Sequence, residues 1–416
     1  MLKNVSYYLI LFFLVCLPFD QFYSETALIA LTAHTVLTGT RETFRKALDK
    51  RVLLLQAIYW ITLLGVGYSR YPGPAFMECI QQLPLLLWPW LACVLQPVLQ
   101  SRKNDLLGAF ALSCCVTILF LFYNALQTIH YFHMGWGALF SHFFVNQNFS
   151  APLELHATYL SAYAALSLVY LAARVFEEWR SSGAFRRLLY MGGMLILTVG
   201  LVQLSAKSVL VGTWLVFIIG IPCFLFPARR RAAAFRIMAV LMFTFVLGAV
   251  LLRAASFRTR MVTDLTRDLA QDRAADPLNE PRMVRWAVTW SLIRSAPVAG
   301  YGSGSEMPLL KDAYYRDRLY EPYLYGLNTH NQFLRCWLTT GMAGLLAYLG
   351  LLGFGFVQAW KRKDLVWTGF LVLVTTVSCA ENILDVQKGI FWFSFFFAFF
   401  IFIREPRGTP QPLLKS

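Results

Sequence analysis

The sequence predicts an all-α, polytopic membrane protein of about twelve transmembrane helices, with one large extramembrane loop that itself carries short helices. Three observations lead there: the apolar share of the chain, the spacing of its apolar runs, and the sidedness of its basic residues. Hydrophobic residues make up 58% of 416 and the mean hydropathy is +0.55, well beyond a soluble globular domain. Apolar runs able to cross a bilayer, some of them short or tilted, fall at about 6–19, 24–39, 52–68, 81–99, 106–126, 156–173, 188–204, 208–226, 236–252, 338–358, 365–380 and 389–403. The first run has no small-residue cleavage site after it and leads into further spans, so it reads as a retained helix.

Charge supplies the orientation. With the N-terminus placed in the cytoplasm, the connections at 41–51, 102–105, 174–187, 229–236 and 361–364, together with both termini, carry 22 of the 37 basic residues and 7 of the 22 acidic ones. Basic residues collect on the cytoplasmic side of membrane proteins, so both termini are expected there. The formal charge of +15 is then a matter of topology, and no nucleic-acid partner is implied. The eight cysteines lie mostly in apolar runs without CxxC spacing and the six histidines are scattered, which signals neither a zinc site nor a disulfide framework. Three regions follow: residues 1–252 with nine spans and short connections, 253–337 as the large external loop, and 338–416 with three spans and a cytoplasmic tail.

Two external segments stand out. Residues 127–155 contain His130, His133 and His142, many aromatics and no Lys or Arg, a composition suited to the membrane interface as a lid or lipid-facing rim. Residues 253–337 are long and mixed in charge, with helical patterning at about 261–270 and 281–295. Loops of that length are seldom idle connections.

The residues able to carry chemistry lie on the same external side. Asn328 or Thr329 is expected to cap a helix and leave His330 in its first turn, where unpaired N–H groups and the helix dipole disfavour a proton on imidazole. Such a histidine can serve as a base; the plainer reading is a polar residue where a helix leaves water. Asn279-Glu280-Pro281 reads as a helix start, followed by Arg282 and Arg285 on one face with Trp286 and Trp290 beside them. Two guanidinium groups suit a phosphate or diphosphate, and the alternative is a solvated face paired to nearby carboxylates. The glycine-rich stretch 295–304 lacks the lysine and following helix of a P-loop. Lys207, between two apolar runs, is either functional or a snorkelling side chain. His156 opens a further helix, and Glu381 and Asp385 stand at the end of the eleventh span.

Taken in order, Arg282-Met283-Val284-Arg285-Trp286, then Pro297 through Gly304, then His330-Asn331-Gln332 with Gly341 before an apolar helix, resemble the signature block of the O-antigen ligase and Wzy polymerase superfamily. Ser205-Ala206-Lys207-Ser208 resembles that family's serine-arginine motif, with lysine in place of the usual arginine. The resemblance implies an inverting, metal-independent glycosyltransferase in the bacterial inner membrane. It would move a glycan from undecaprenyl diphosphate to a lipid A-core sugar at the periplasmic face. His330 would be the base, with Arg282, helped by Arg285, and Lys207 on the diphosphate. Trp286, Asn331, Gly300, Gly302 and His156 would contact substrate, and no cofactor or metal is implied. A polymerase extending lipid-linked repeats shares the same donor chemistry. A transporter of lipid-linked sugars would instead need polar breaks near mid-membrane, and a scaffold would leave the grouped base and cations unexplained.

Overall fold

The computed structural model describes residues 2–178, 181–225, 266 and 281–403. The span expected at 236–252, the helical pattern at 261–270, the Asn279-Glu280 helix start, the boundary at 252/253 and the C-terminal tail lie outside them. The described residues form helices and turns with no strand.

Eleven of the expected runs coincide with helices among the described residues, and five of those helices are long and apolar enough to cross a membrane: Lys103–Tyr131, Ala157–Glu178, Ala184–Leu204, Lys207–Phe224 and Gln332–Arg362. Others are shorter or broken. The run at 81–99 divides into Leu83–Val94 and Gln96–Ser101, with Pro84, Pro89 and Pro97 each removing a backbone donor. The run at 52–68 divides at Gln56, whose side chain donates to the Leu86 carbonyl at 2.7 Å. The helix entering the 127–155 segment continues to Tyr131, after which short turns follow. Gln203 holds those turns, donating to the Leu139 carbonyl at 2.6 Å and the Phe144 carbonyl at 2.5 Å. Trp136, Phe140 and Phe143 remain exposed on its outside.

The core is built around the C-terminal helix Gln387–Phe402, in which every residue from Lys388 onward is buried. A helix apolar on all sides belongs in the middle of a bundle. Phe395 meets Trp88 at 4.7 Å between ring centroids, and Phe370 meets Trp392 at 5.0 Å, edge-to-face contacts that add to area burial. The Ala157–Glu178 helix is buried from Ala157 to Ala173, its alanines and serines allowing close approach of neighbours. Lys103 and Asp364 pair at 3.2 Å at one end of the bundle. The candidate chemical residues occupy the other, referred to below as the motif end.

The glycines of the motif end have a structural explanation. The Gln332–Arg362 helix is broken at Gly341, at φ 65°, ψ −158°, a conformation open essentially to glycine alone. The 297–304 loop lies across the break and replaces the missing helical partners: Tyr301 N–H donates to the Leu338 carbonyl at 3.0 Å, Gly302 N–H to Thr339 at 2.8 Å, and Met342 N–H to Val298 at 3.0 Å. Gly300 and Gly302 have φ of 67° and 89°. A Cβ on Gly300 would sit 2.5 Å from the Thr339 carbonyl, and one on Gly302 2.5 Å from Ser69 Cα. Both glycines, expected to contact substrate, meet the protein's own backbone on the side where a Cβ would lie. We expect Gly341→Ala to lower the midpoint of thermal unfolding, followed by tryptophan fluorescence in detergent, by the equivalent of about 3 kcal/mol, from strain together with overlap on Val298. Val298→Ala, at an exposed side chain, should leave that midpoint within about 0.5 kcal/mol of the parent.

Candidate active site

Four loops meet at the motif end. The Arg282–Ser295 helix begins directly after Pro281, which stands at its cap position. Arg282 is half-buried and donates through Nη1 to the Ala380 carbonyl at 3.0 Å. Arg285, three residues on, turns inward and is buried, with Nη1 3.5 Å from the Asn328 carbonyl. Trp286 donates from Nε1 to the Thr329 carbonyl at 2.8 Å. Arg285 and Trp286 therefore brace the 328–331 loop from beneath, while Arg282 stands beside the residues that follow the Leu365–Ser378 helix.

The helix cap lies elsewhere than expected, and this alters the electrostatics of His330. Asn331 is the cap: its side-chain oxygen accepts from Phe333 N–H at 3.0 Å and Leu334 N–H at 3.2 Å, so the helix starts at Gln332. Asn331, expected to contact substrate, thus has its side-chain oxygen on the helix end. Thr329 is unavailable as a cap because its N–H and hydroxyl face Glu306 Oε1 at 3.0 and 2.8 Å. His330 sits ahead of the cap in the left-handed region, φ 46°, uncommon outside glycine although histidine tolerates it better than most. It is not in the first turn, so the dipole argument does not apply to it.

A carboxylate takes that place. His330 Nδ1 lies 2.9 Å from Glu381 Oε2, with both side chains largely shielded. Burial pushes the Glu381 carboxyl up, but the His330 hydrogen bond and the charges of His330, His156 and Arg282 outweigh it and hold Glu381 below the usual carboxylate range. Ionised Glu381 accepts Nδ1–H, which leaves Nε2 as the ring's open acceptor. The sequence marks Glu381 only as a charge at a helix end; its pairing with a histidine 51 positions away becomes visible in the fold.

His156 sits just ahead of the Ala157–Glu178 helix, its Nδ1 accepting from Thr158 N–H at 3.4 Å. Burial first, then His330 and Arg282, depress its basicity against the pull of Glu381. It thus shares the electrostatic environment of the His330–Glu381 pair. Lys207 begins the Lys207–Leu215 helix directly after Ser205, which turns the chain at φ 45°. That helix packs on Leu365–Ser378 with Gly212 against Thr376. Gly220 of the same run meets Leu365, so the two run in opposite directions, and Lys207 at the start of one lies at the same end of the pair as Glu381, just past the end of the other. The structure brings Arg282, His330, His156 and Glu381 into one group and sets Lys207 at the same end of a neighbouring helix.

Beneath the pair, the buried Arg335 guanidinium meets three carboxylates: Glu78 at 2.8 Å, Glu306 at 3.3 Å and Asp385. Burial, opposed by Arg335 and reinforced by Glu306 and Glu78, raises Asp385 well above the usual carboxylate range. The guanidinium occupies the centre of this cluster. Among the described residues no group of three or more His, Cys, Asp and Glu is arranged to hold a metal ion.

Residues 192–349 match the family model described as O-antigen ligase, a stretch that holds Lys207, Arg282, Arg285, Trp286, Gly300, Gly302, His330 and Asn331. The match supports a likeness of this segment to the O-antigen ligase and Wzy superfamily. A search of curated proteins finds no match. The O-antigen ligase and Wzy superfamily comprises glycosyltransferase-like ligases and polymerases that use lipid-linked glycans in bacterial membranes, in keeping with the membrane-length apolar helices. His156 and Glu381 fall outside the matched O-antigen ligase segment and join its histidine only through the fold.

The depressed carboxyl has a pH signature. A group whose folded pKa is lowered stabilises fully above its unfolded value, about 4.3 for glutamate, and ceases to do so as pH falls through the folded value. Wild type is therefore expected to exceed Glu381→Gln in thermal stability by about 1 kcal/mol at pH 7, with the difference closing below about pH 4, as read by tryptophan fluorescence on heating.

Proposed function

We propose that this protein is an inverting, metal-independent glycosyltransferase that moves a glycan from undecaprenyl diphosphate to a sugar hydroxyl of lipid A-core at the periplasmic face of the inner membrane. The observation that carries the reading is the His330–Glu381 pair at 2.9 Å with Arg282 beside it, within and next to an O-antigen ligase domain. The distribution of basic residues, with both termini cytoplasmic, supports a periplasmic motif end.

In this reaction the acceptor oxygen attacks the anomeric carbon, and its proton passes to His330 Nε2. The bond from the anomeric carbon to the diphosphate oxygen breaks, and undecaprenyl diphosphate leaves with the electron pair. Glu381 holds the ring in the tautomer that accepts at Nε2 and stabilises the imidazolium as it forms. Arg282 and Lys207 meet the negative charge that grows on the leaving diphosphate. Lys207 supplies charge without the guanidinium fork. The exposed aromatics of the 131–143 segment would rest at the lipid interface, where both lipid-linked substrates arrive. Polar groups collected at one end of the bundle fit surface chemistry better than passage across the membrane.

The test uses full-length protein in nanodiscs with undecaprenyl-diphosphate-linked glycan, lipid A-core and EDTA. Glycan should appear on lipid A-core undiminished by the chelator. His330→Ala should lower kcat by about 10²–10⁴-fold, Arg282→Ala should lower kcat and raise the donor KM, and Lys207→Arg should retain transfer. Lengthening of the lipid-linked glycan in place of core modification would make the enzyme a polymerase. Undiminished transfer by His330→Ala would remove that histidine as the base.

A further inference from the structure

The His330–Glu381 contact joins two loops, and neither loop is fixed by the pair alone. Each residue has a neighbour bound to a common buried group. Thr329, directly before His330, donates its N–H to Glu306 Oε1 at 3.0 Å, and its hydroxyl lies 2.8 Å from the same oxygen and 3.0 Å from Asn382 Oδ1. Asn382, directly after Glu381, accepts Asn331 N–H at 2.9 Å through Oδ1. Its Nδ2 faces Glu306 Oε1 at 2.9 Å, Glu306 Oε2 at 3.1 Å and Asp385 Oδ2 at 2.8 Å. A backbone donor on one side and carboxylates on the other fix which end of this amide is oxygen. Thr329 and Asn382 are fully buried or nearly so, as is Glu306 at 5% exposure.

We propose that Glu306 and Asn382 are positioning residues that hold the peptides flanking His330 and Glu381 together and thereby set the geometry of the catalytic pair. The inference rests on the reading of that pair given above. The chemistry favours positioning over substrate contact. Every acceptor of Glu306 is taken by Thr329, Asn382 or Arg335, and His330 is held at a positive φ that needs support from its surroundings. The Asn328 side chain completes the turn by accepting His330 N–H at 3.0 Å. A shift of about 1 Å in a catalytic group is enough to cost roughly a hundredfold in rate, so a brace one residue away from each partner has leverage without touching the reacting atoms.

Three variants in full-length protein separate this from a general role in folding. Thr329→Val removes one hydroxyl and leaves every charge in place; Thr329→Ser keeps the hydroxyl; Glu306→Gln turns an acceptor of the Asn382 amide into a donor. Two readouts are taken at fixed pH: kcat and donor KM for transfer, and the rate at which diethyl pyrocarbonate modifies His330, followed by peptide mass spectrometry. We expect Thr329→Val and Glu306→Gln to lower kcat at least about tenfold with donor KM within about twofold. The modification rate of His330 should change by about threefold or more, and Thr329→Ser should return both readouts to near wild type. Because modification of His330 does not depend on transfer, it decides the point even if the wild type transfers no glycan. Wild-type modification rates in both Thr329→Val and Glu306→Gln would overturn the proposal, as would an equal loss in Thr329→Ser. If Glu306→Gln does not fold, the Thr329 pair alone decides.

Discussion

Placing the Arg335 guanidinium away from water is tolerable only because carboxylates from three segments meet it: Glu78 from the Pro72–Gln81 helix, Glu306 from the start of the Glu306–Arg316 helix, and Asp385 from the loop after Leu365–Ser378. Removing one partner of such a buried set leaves charge without compensation and costs about 3–5 kcal/mol. The motif end is therefore anchored by electrostatics, whereas the opposite half of the bundle is held by ring packing around Phe395 and Trp392. Glu306 then passes the anchor on to Thr329 and Asn382, and Glu78 passes it to Gly304 N–H at 2.6 Å. One cation ties together the glycine loop, the histidine loop and the Glu381 loop.

On this foundation the catalytic group is small and one-sided. His330 and Glu381 form a dyad in which the carboxylate sets the direction of the imidazole, and Arg282 brings a permanent positive charge to the same place through its bond to Ala380. Arg285, so close in sequence, is drawn under the loop by the Asn328 carbonyl. The three-residue spacing of the two arginines is just short of a full helical turn, and that offset is enough to send one guanidinium towards the site and the other into the loop's underside.

Much of this was legible in the chain itself. Apolar runs located the helices, and the order Arg282, glycine loop, His330 singled out the segment that matches the O-antigen ligase domain. Local rules failed where several local solutions competed. Asn328, Thr329 and Asn331 can each cap a helix, and Asn331 does so because Thr329 is engaged by Glu306, a contact 23 positions away. Long apolar runs concealed prolines and a buried glutamine that interrupt them. Glu381 reads as an ordinary charge at a helix end because the partner that gives it meaning lies in another loop, and the glycines at 300 and 302 also mark a crossing of backbones.

Three main-chain bonds join the 297–304 loop to the helix break at Gly341, with Trp337 Nε1 adding one to the Pro297 carbonyl at 2.9 Å, and the Val298 side chain points away, 77% exposed. A side chain such as Val298 can change without disturbing the joint, while the glycines cannot. A glycine motif of this kind is a mark of shared carpentry: it tells which chains are joined in this way and is silent about which sugar they handle.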